Sequence, residues 1–88
     1  MKPLNYAILK YMTTVEKASA RDVVKALQPQ YGNFRMLNEK AVLEALMTGE
    51  QNALLEEVSY ELDDKGDLVI YYRAPEDGAA TINTYIKD

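Results

Sequence analysis

The sequence predicts an α+β domain in which three helices precede a single antiparallel β-hairpin and a short helix follows it. Apolar residues recur every three or four positions over residues 3–48, and every second position over residues 54–72. Between the two predicted strands, Asp64 to Asp67 contain Gly66, which can take the positive φ of a tight turn. The 88 residues are enough for one domain, with a core at 3–73 and a C-terminal segment at 76–88.

The first two predicted helices have clear boundaries. Helix one is expected from Pro3 to Glu16, since proline suits the first turn of a helix. Helix two is expected to begin at Ser19 in a capping box with Asp22, and to end at Pro29 and Gly32. The apolar stripes are Leu4, Ile8, Tyr11, Met12 and Val15 on the first helix, and Ala20, Val23, Val24 and Leu27 on the second.

The third predicted helix runs from Arg35 to Thr48 and stops at Gly49. Phe34, which precedes it, is the only phenylalanine and is expected to anchor the turn in the core. At 100° per residue, the inward arc holds Met36, Val42, Leu43, Leu46 and Met47. The outward arc holds Asn38, Ala41, Glu44, Ala45 and Thr48. Because several of these are small, the helix could approach another surface closely.

The hairpin alternates between an apolar and a polar face. The apolar positions are Leu54, Val58, Tyr60 and Leu62 on the first strand, and Leu68, Ile70 and Tyr72 on the second. Pro75 should end the second strand because it cannot donate to a ladder. Residues 76–88 are predicted to form a short helix, although Ile82, Thr84 and Ile86 also alternate. So short a helix must pack on helix one or on a second subunit.

This order resembles the winged helix-turn-helix family. The resemblance covers residues 3–73 and is carried by ILKYM, SARDVVKAL, MLNEKAVLEALMTGE and the hairpin around ELDDKGDLVIYY. It implies a three-helix bundle followed by a two-stranded hairpin, the wing. Some members have a short strand before helix two. Here only Lys17 and Ala18 are available for it, so that strand is expected to be minimal or absent.

The resemblance implies binding of double-stranded DNA, with the third helix in the major groove. Arg35, Asn38, Lys40, Glu44 and Thr48 would then lie nearest the bases. Arg21 and Lys25 on helix two would contact phosphates. The chain would be a small DNA-binding or transcription-related protein.

The charge distribution favours a second class of function. The net charge is −4, but residues 1–45 hold seven basic and four acidic side chains, and residues 46–88 hold three and ten. The wing carries Asp63, Asp64 and Asp67 beside Lys65, and these acids would repel phosphates. The alternative is therefore a protein-interaction module with an acidic wing and no DNA binding. Its partner would be another protein or a second copy, and Leu55, Val69 and Tyr71 are candidates for an outward apolar patch.

Other classes find little support in the composition. The chain has no histidine and no cysteine, so the commonest general base and the thiolate nucleophile are missing and no enzyme is expected. No nucleotide fingerprint occurs, and the acids around Gly66 lack the twelve-residue calcium pattern, so neither a cofactor nor a metal is predicted. The first residues do not form a secretory signal, and no apolar run is long enough to cross a membrane. A cytoplasmic protein is the expectation.

Overall fold

The computed structural model describes residues 1–87, and within them the chain is α+β, as predicted. In chain order the elements are α1 (Leu4–Met12), β1 (Ala18–Ser19), α2 (Ala20–Tyr31), α3 (Glu39–Gln51), β2 (Glu56–Leu62), β3 (Leu68–Arg73) and α4 (Glu76–Tyr85). The predicted hairpin is β2 and β3, and the predicted C-terminal helix is α4.

The sheet has three strands in the order β1-β3-β2, all antiparallel, within residues 1–87. The prediction of a two-stranded wing was therefore wrong in strand number. Ala18 and Ser19 pair with Tyr72 and Tyr71, and this two-residue strand is too short to show any periodicity in the sequence. β3 is consequently the central strand and connects the hairpin to the start of α2.

The first helix is shorter than predicted and ends at Met12 instead of Glu16. Thr13 and Thr14 stop it locally. Their hydroxyl groups donate to the carbonyl oxygens of Lys10 and Tyr11, and their backbone N–H groups donate to the same two oxygens. Because these bonds satisfy carbonyls at the helix end, the chain can leave the helix without an unpaired group.

The capping box of the second helix is confirmed. The Ser19 hydroxyl accepts from the Asp22 N–H at 3.2 Å, and the Asp22 carboxylate accepts from the Ser19 N–H at 2.9 Å. The prediction that Pro29 ends the helix was wrong, because Pro29 lies inside α2. It is on the exposed side, where water can bond to the carbonyl group that proline, having no N–H, leaves without a partner. The cap, Gly32, has φ −57° rather than a left-handed conformation, and a Cβ there would lie 2.7 Å from the Gln28 carbonyl oxygen.

The third helix begins at Glu39, four residues later than predicted, and it continues through the predicted stop at Gly49 to Gln51. Asn38 is its N-cap: the Asn38 Oδ1 accepts from the Ala41 N–H at 2.9 Å, and its Nδ2 donates to the Arg35 carbonyl at 3.0 Å. A side chain that makes both bonds stabilises the turn before the helix and competes with helical conformation there. Arg35 therefore lies in the connection between α2 and α3.

The core lies between the helices and the base of the sheet. Its buried residues include Ile8, Met12, Val23, Leu27, Tyr31, Val42, Leu46, Leu55, Tyr72, Ile82 and Ile86. Three expected core residues are exposed instead: Phe34, Met36 and Met47. The Phe34 ring lies edge-on to the buried Tyr31, with ring centroids 5.1 Å apart. Met36 precedes the helix whose inward arc it was assigned to.

The C-terminal helix packs on α1, one of the two outcomes expected of it. Ile82 and Ile86 are buried, and the Lys10 ammonium donates to the Asn83 side-chain oxygen at 2.7 Å. Gly78 sits at the first turn, directly against the backbone of Leu54. The helices and the base of the hairpin thus form one body.

Candidate functional site

Arg21, predicted to contact phosphate, is held by two carboxylates. Its Nε donates to Glu39 at 3.1 Å and its Nη2 donates to Asp63 at 3.0 Å. These bonds raise the pKa of the guanidinium, with the Glu39 hydrogen bond as the largest cause. Arg21 therefore links the first turn of α2 to the first turn of α3 and to the hairpin turn. Its charge is already neutralised by the protein itself.

The remaining predicted DNA contacts are divided among three places. Arg35 and Asn38 precede α3, and the Asn38 side chain is occupied in the cap. Lys40, Glu44 and Thr48 are exposed on α3, where the Thr48 hydroxyl donates to the Glu44 carbonyl. Lys25 is exposed on α2, one turn after Arg21. The helix expected to read bases, Glu39–Gln51, carries three glutamates and one lysine.

The hairpin presents an apolar face that is only partly covered. In the register of the sheet, Tyr60 lies opposite Ile70 and Leu62 lies opposite Leu68, so all four share one face. Tyr72 continues this face along β3. Tyr72 is 1% exposed, whereas Leu68, Leu62 and Tyr60 are 57%, 66% and 69% exposed. We call Tyr60, Leu62, Leu68 and Ile70 the apolar strip.

The predicted apolar face is confirmed at Tyr60, Leu62, Leu68, Ile70 and Tyr72 but was wrong at Val58, and the sequence could not tell how much of the face the helices cover. A β-bulge interrupts the pairing between Glu57 and Ser59 and leaves Val58 as the extra residue. The expected outward patch was wrong at Leu55, which is 3% exposed and belongs to the core. Val69 and Tyr71, its other two members, are half-buried on the opposite face of the hairpin.

A groove of about 250 Å³ runs beside the apolar strip, between β3 and the first turns of α2 and α3. Ala20, Leu43, Leu68 and Ile70 supply its apolar walls, and Arg21, Glu39 and Lys40 supply its charged rim. Because Leu68 and Ile70 belong to both, the groove and the strip form one continuous surface. We call the groove with these residues the strip groove.

The other face of the hairpin is acidic. A second groove, of about 270 Å³, is lined by Asp22, Glu61, Asp63 and Asp64 together with Ser19, Arg21, Val69 and Tyr71, and Leu62 of the apolar strip also borders it. The Tyr71 hydroxyl donates to Glu61, and this bond raises the pKa of the tyrosine. The Lys17 ammonium lies 4.8 Å from the centre of the Tyr71 ring. We call this surface the acidic groove.

Asp63 organises the hairpin turn. One of its carboxylate oxygens accepts from the backbone N–H groups of Lys65 and Asp67, each at 2.9 Å, and the other accepts from Arg21. Gly66 has φ +83°, the positive value that the turn was predicted to need. The Asp67 N–H bond is the largest cause that lowers the pKa of Asp63, and Arg21 and Lys65 add to it.

This lowered pKa predicts how the turn responds to acid. Because the folded pKa of Asp63 lies below its unfolded value of about 3.9, the carboxylate stabilises the fold fully above that value. The contribution is lost as the pH falls through the folded pKa. We therefore expect the Asp67 amide resonance to titrate with a midpoint below about 3.9 in an NMR titration. Asp63→Asn should abolish this transition, and a midpoint at or above the unfolded value would contradict the assignment.

No protein-family model, curated protein or solved structure matches the chain. Among residues 1–87, no helix has both the length and the apolar character needed to cross a bilayer. The same residues contain no cluster of acidic side chains arranged to hold a metal ion.

Proposed function

We propose that this chain is a winged helix domain that acts as a protein-interaction module, and that its partner docks on the apolar strip and the strip groove. The winged helix part is supported by the order of α1, β1, α2, α3, β2 and β3, which includes the short strand that some members of that family carry before helix two. The sheet order β1-β3-β2, in which the hairpin pairs with that short strand, also supports it.

The apolar strip carries the interaction proposal. Three large apolar side chains, Tyr60, Leu62 and Leu68, are each more than half exposed and adjacent in the sheet register. Contiguous apolar surface of this kind marks interaction sites more often than scattered exposed residues do. The strip groove adjoining it has the volume to take one large apolar side chain of a partner.

The electrostatics favour a protein partner over a nucleic acid. Asp63, Asp64 and Asp67 lie in the wing, and Arg21 is neutralised by Glu39 and Asp63. A DNA backbone brought to this side would meet mostly carboxylates, and phosphate contacts supply most non-specific affinity for DNA.

DNA binding is retained as a second candidate because of one specific observation. Lys25, Arg35 and Lys40 are exposed, and their charged groups form no ion pair with any residue in 1–87. Three phosphate contacts would give a log–log salt slope of about −2.7. The interaction proposal instead predicts no binding to a labelled 30-base-pair duplex at low salt, measured by fluorescence anisotropy. Binding with the steep slope, lost on Lys40→Glu, would favour the DNA candidate.

The interaction proposal predicts which surface displayed peptides recognise. Random peptides selected on the immobilised domain should bind the strip, because Tyr60, Leu62 and Leu68 are more than half exposed and adjacent in the sheet. Combining Leu62→Lys with Leu68→Lys should weaken the selected peptides at least about tenfold, since charges would replace buried apolar contacts. Tyr85→Lys is the matched control, because Tyr85 is 81% exposed on α4 and away from the hairpin.

The measurement is the dissociation constant by calorimetry, with circular dichroism to verify that each variant is folded. Peptides that tolerate both lysines in the hairpin but not Tyr85→Lys would overturn the proposal, because the interaction surface would then lie at α1 and α4.

A further inference from the structure

Within residues 1–87, part of the central strand has no paired strand on one side. β1 pairs with Tyr72 and Tyr71 and ends there, because the chain turns into α2 at Ala20. Residues 68–70 of β3 pair with β2 on one side and extend past β1 on the other. In an antiparallel sheet, every second residue directs its N–H and C=O to a given side, so this stretch offers backbone groups to an added strand.

Both grooves border this open edge. The strip groove lies on one face of β3 and the acidic groove on the other, and Ser19, Arg21 and Val69 line both. A strand added here would place alternate side chains in the two grooves. The side chains that enter the strip groove would contact Leu43, Leu68 and Ile70. Those on the other face would meet carboxylates.

The charges around the edge define those side chains. Five carboxylates line the two grooves, against two cations. The acids are Asp22, Glu39, Glu61, Asp63 and Asp64, and the cations are Arg21 and Lys40. A second copy of the chain is a poor occupant, because its own hairpin is acidic and would add like charges. A strand that alternates apolar and basic residues matches both faces.

Arg21 occupies the position that an incoming basic residue would take. It bonds to Glu39 at the rim of the strip groove and to Asp63 in the acidic groove, so its guanidinium group spans the open edge. Both pairs are solvent-exposed, and exposed ion pairs are weak enough to exchange partners.

We propose that an extended segment of a partner protein, with alternating apolar and basic residues, pairs as a fourth strand with Leu68–Ile70 of β3. A basic residue of that segment displaces Arg21 from Glu39 and Asp63. This inference rests on the proposed function and deepens it, because it names the binding mode and the chemistry of the partner. Arg21 is then an internal competitor for the Glu39 and Asp63 carboxylates that the basic residue would bind.

The test uses an eight-residue peptide that alternates lysine and valine, titrated into the full chain labelled with ¹⁵N. Its control is a peptide of the same composition with four lysines followed by four valines. We expect the alternating peptide to shift the amides of residues 68–70 and to slow hydrogen exchange at those that do not bond to β2.

Arg21→Ala should strengthen binding of the alternating peptide several-fold to about tenfold, because the internal competitor is gone. Lys25→Ala is the matched variant: it removes one positive charge one turn further along α2, from a side chain that forms no ion pair with any residue in 1–87. It should change the affinity less than about twofold.

Three results would overturn the inference. The first is equal binding of the control peptide with four lysines followed by four valines. The second is binding of the alternating peptide without slowed hydrogen exchange at residues 68–70. The third is no binding of the alternating peptide at millimolar concentration by either the natural chain or Arg21→Ala. Weaker binding of the alternating peptide by Arg21→Ala would show that Arg21 does not compete with the partner. None of these results decides the proposed function, which depends on whether peptides from the random library are sensitive to lysines at Leu62 and Leu68.

Discussion

Gly78→Ala should destabilise the domain by about 2–3 kcal/mol, although alanine is the better helix former by about 1 kcal/mol. A Cβ at this position would lie 2.2 Å from the carbonyl oxygen of Leu54 and 2.9 Å from its carbonyl carbon. A contact this short requires the first turn of α4 to move by on the order of 1 Å. Gly78→Ala is therefore expected to lower the stability of the domain, whereas helix propensity alone would raise it.

The Leu54 backbone cannot easily move away from an added Cβ. The N–H groups of Leu54 and Leu55 both donate to the Gly49 carbonyl at the end of α3, at 2.9 and 3.3 Å. Leu55 itself is buried beside Gly49, where a Cβ would lie 2.8 Å from the Leu55 side chain. Displacement of α4 would in turn loosen Ile82 in the helix and Ile86 directly after it, both of which are buried in the core.

Urea denaturation of Gly78→Ala and of the natural chain measures the change in the free energy of unfolding. In thermal denaturation, the melting temperature of Gly78→Ala should be lower by about 10 °C or more. Thr81→Ala is the matched control, because it also adds a good helix former to α4, at an exposed position. It should leave stability unchanged or raise it slightly. If Gly78→Ala were as stable as the natural chain, α4 would not rest on Leu54 as closely as the structure has it.

Local features of the fold were predictable from the sequence where neighbouring residues determine them. The capping box of Ser19 and Asp22 spans four residues, and the turn at Gly66 depends on one backbone conformation. The start of α3 was missed for a local reason as well. Asn38 was assigned to the outward face of a helix, but its side chain stabilises the N-terminus instead.

The candidate site was less predictable from the sequence, because it depends on contacts between residues far apart in the chain. Arg21 pairs with Glu39 and Asp63, which are 18 and 42 positions away, and no periodicity reveals such partners. The requirement for glycine at position 78 comes from Leu54, in a different part of the chain. The alternation of the hairpin identified its apolar face, but the burial of that face depends on how far the hairpin extends beyond the helices.

Tyr72 and Tyr60, both on the apolar face, test how much of this face the helices cover. Tyr72→Ala should cost about 3–5 kcal/mol, because a large buried side chain leaves a cavity in the core. Tyr72 lies at the centre of the sheet, opposite Ala18 of β1 and Glu57 of β2. A domain of 88 residues has a total stability of about 4–13 kcal/mol, so this variant should be marginally folded or unfolded.

Tyr60→Ala makes the same chemical change on the same face and should cost about 1 kcal/mol or less, the scale of strand propensity and cross-strand pairing. Tyr60 is 69% exposed, so the isolated domain gains little from it. Urea denaturation of both variants compares the two costs directly. If Tyr60→Ala cost 2 kcal/mol or more, the strip would be part of the folded core, and its availability to a partner would be disproved. If it cost almost nothing and also weakened the selected peptides, Tyr60 would contribute to binding rather than to folding.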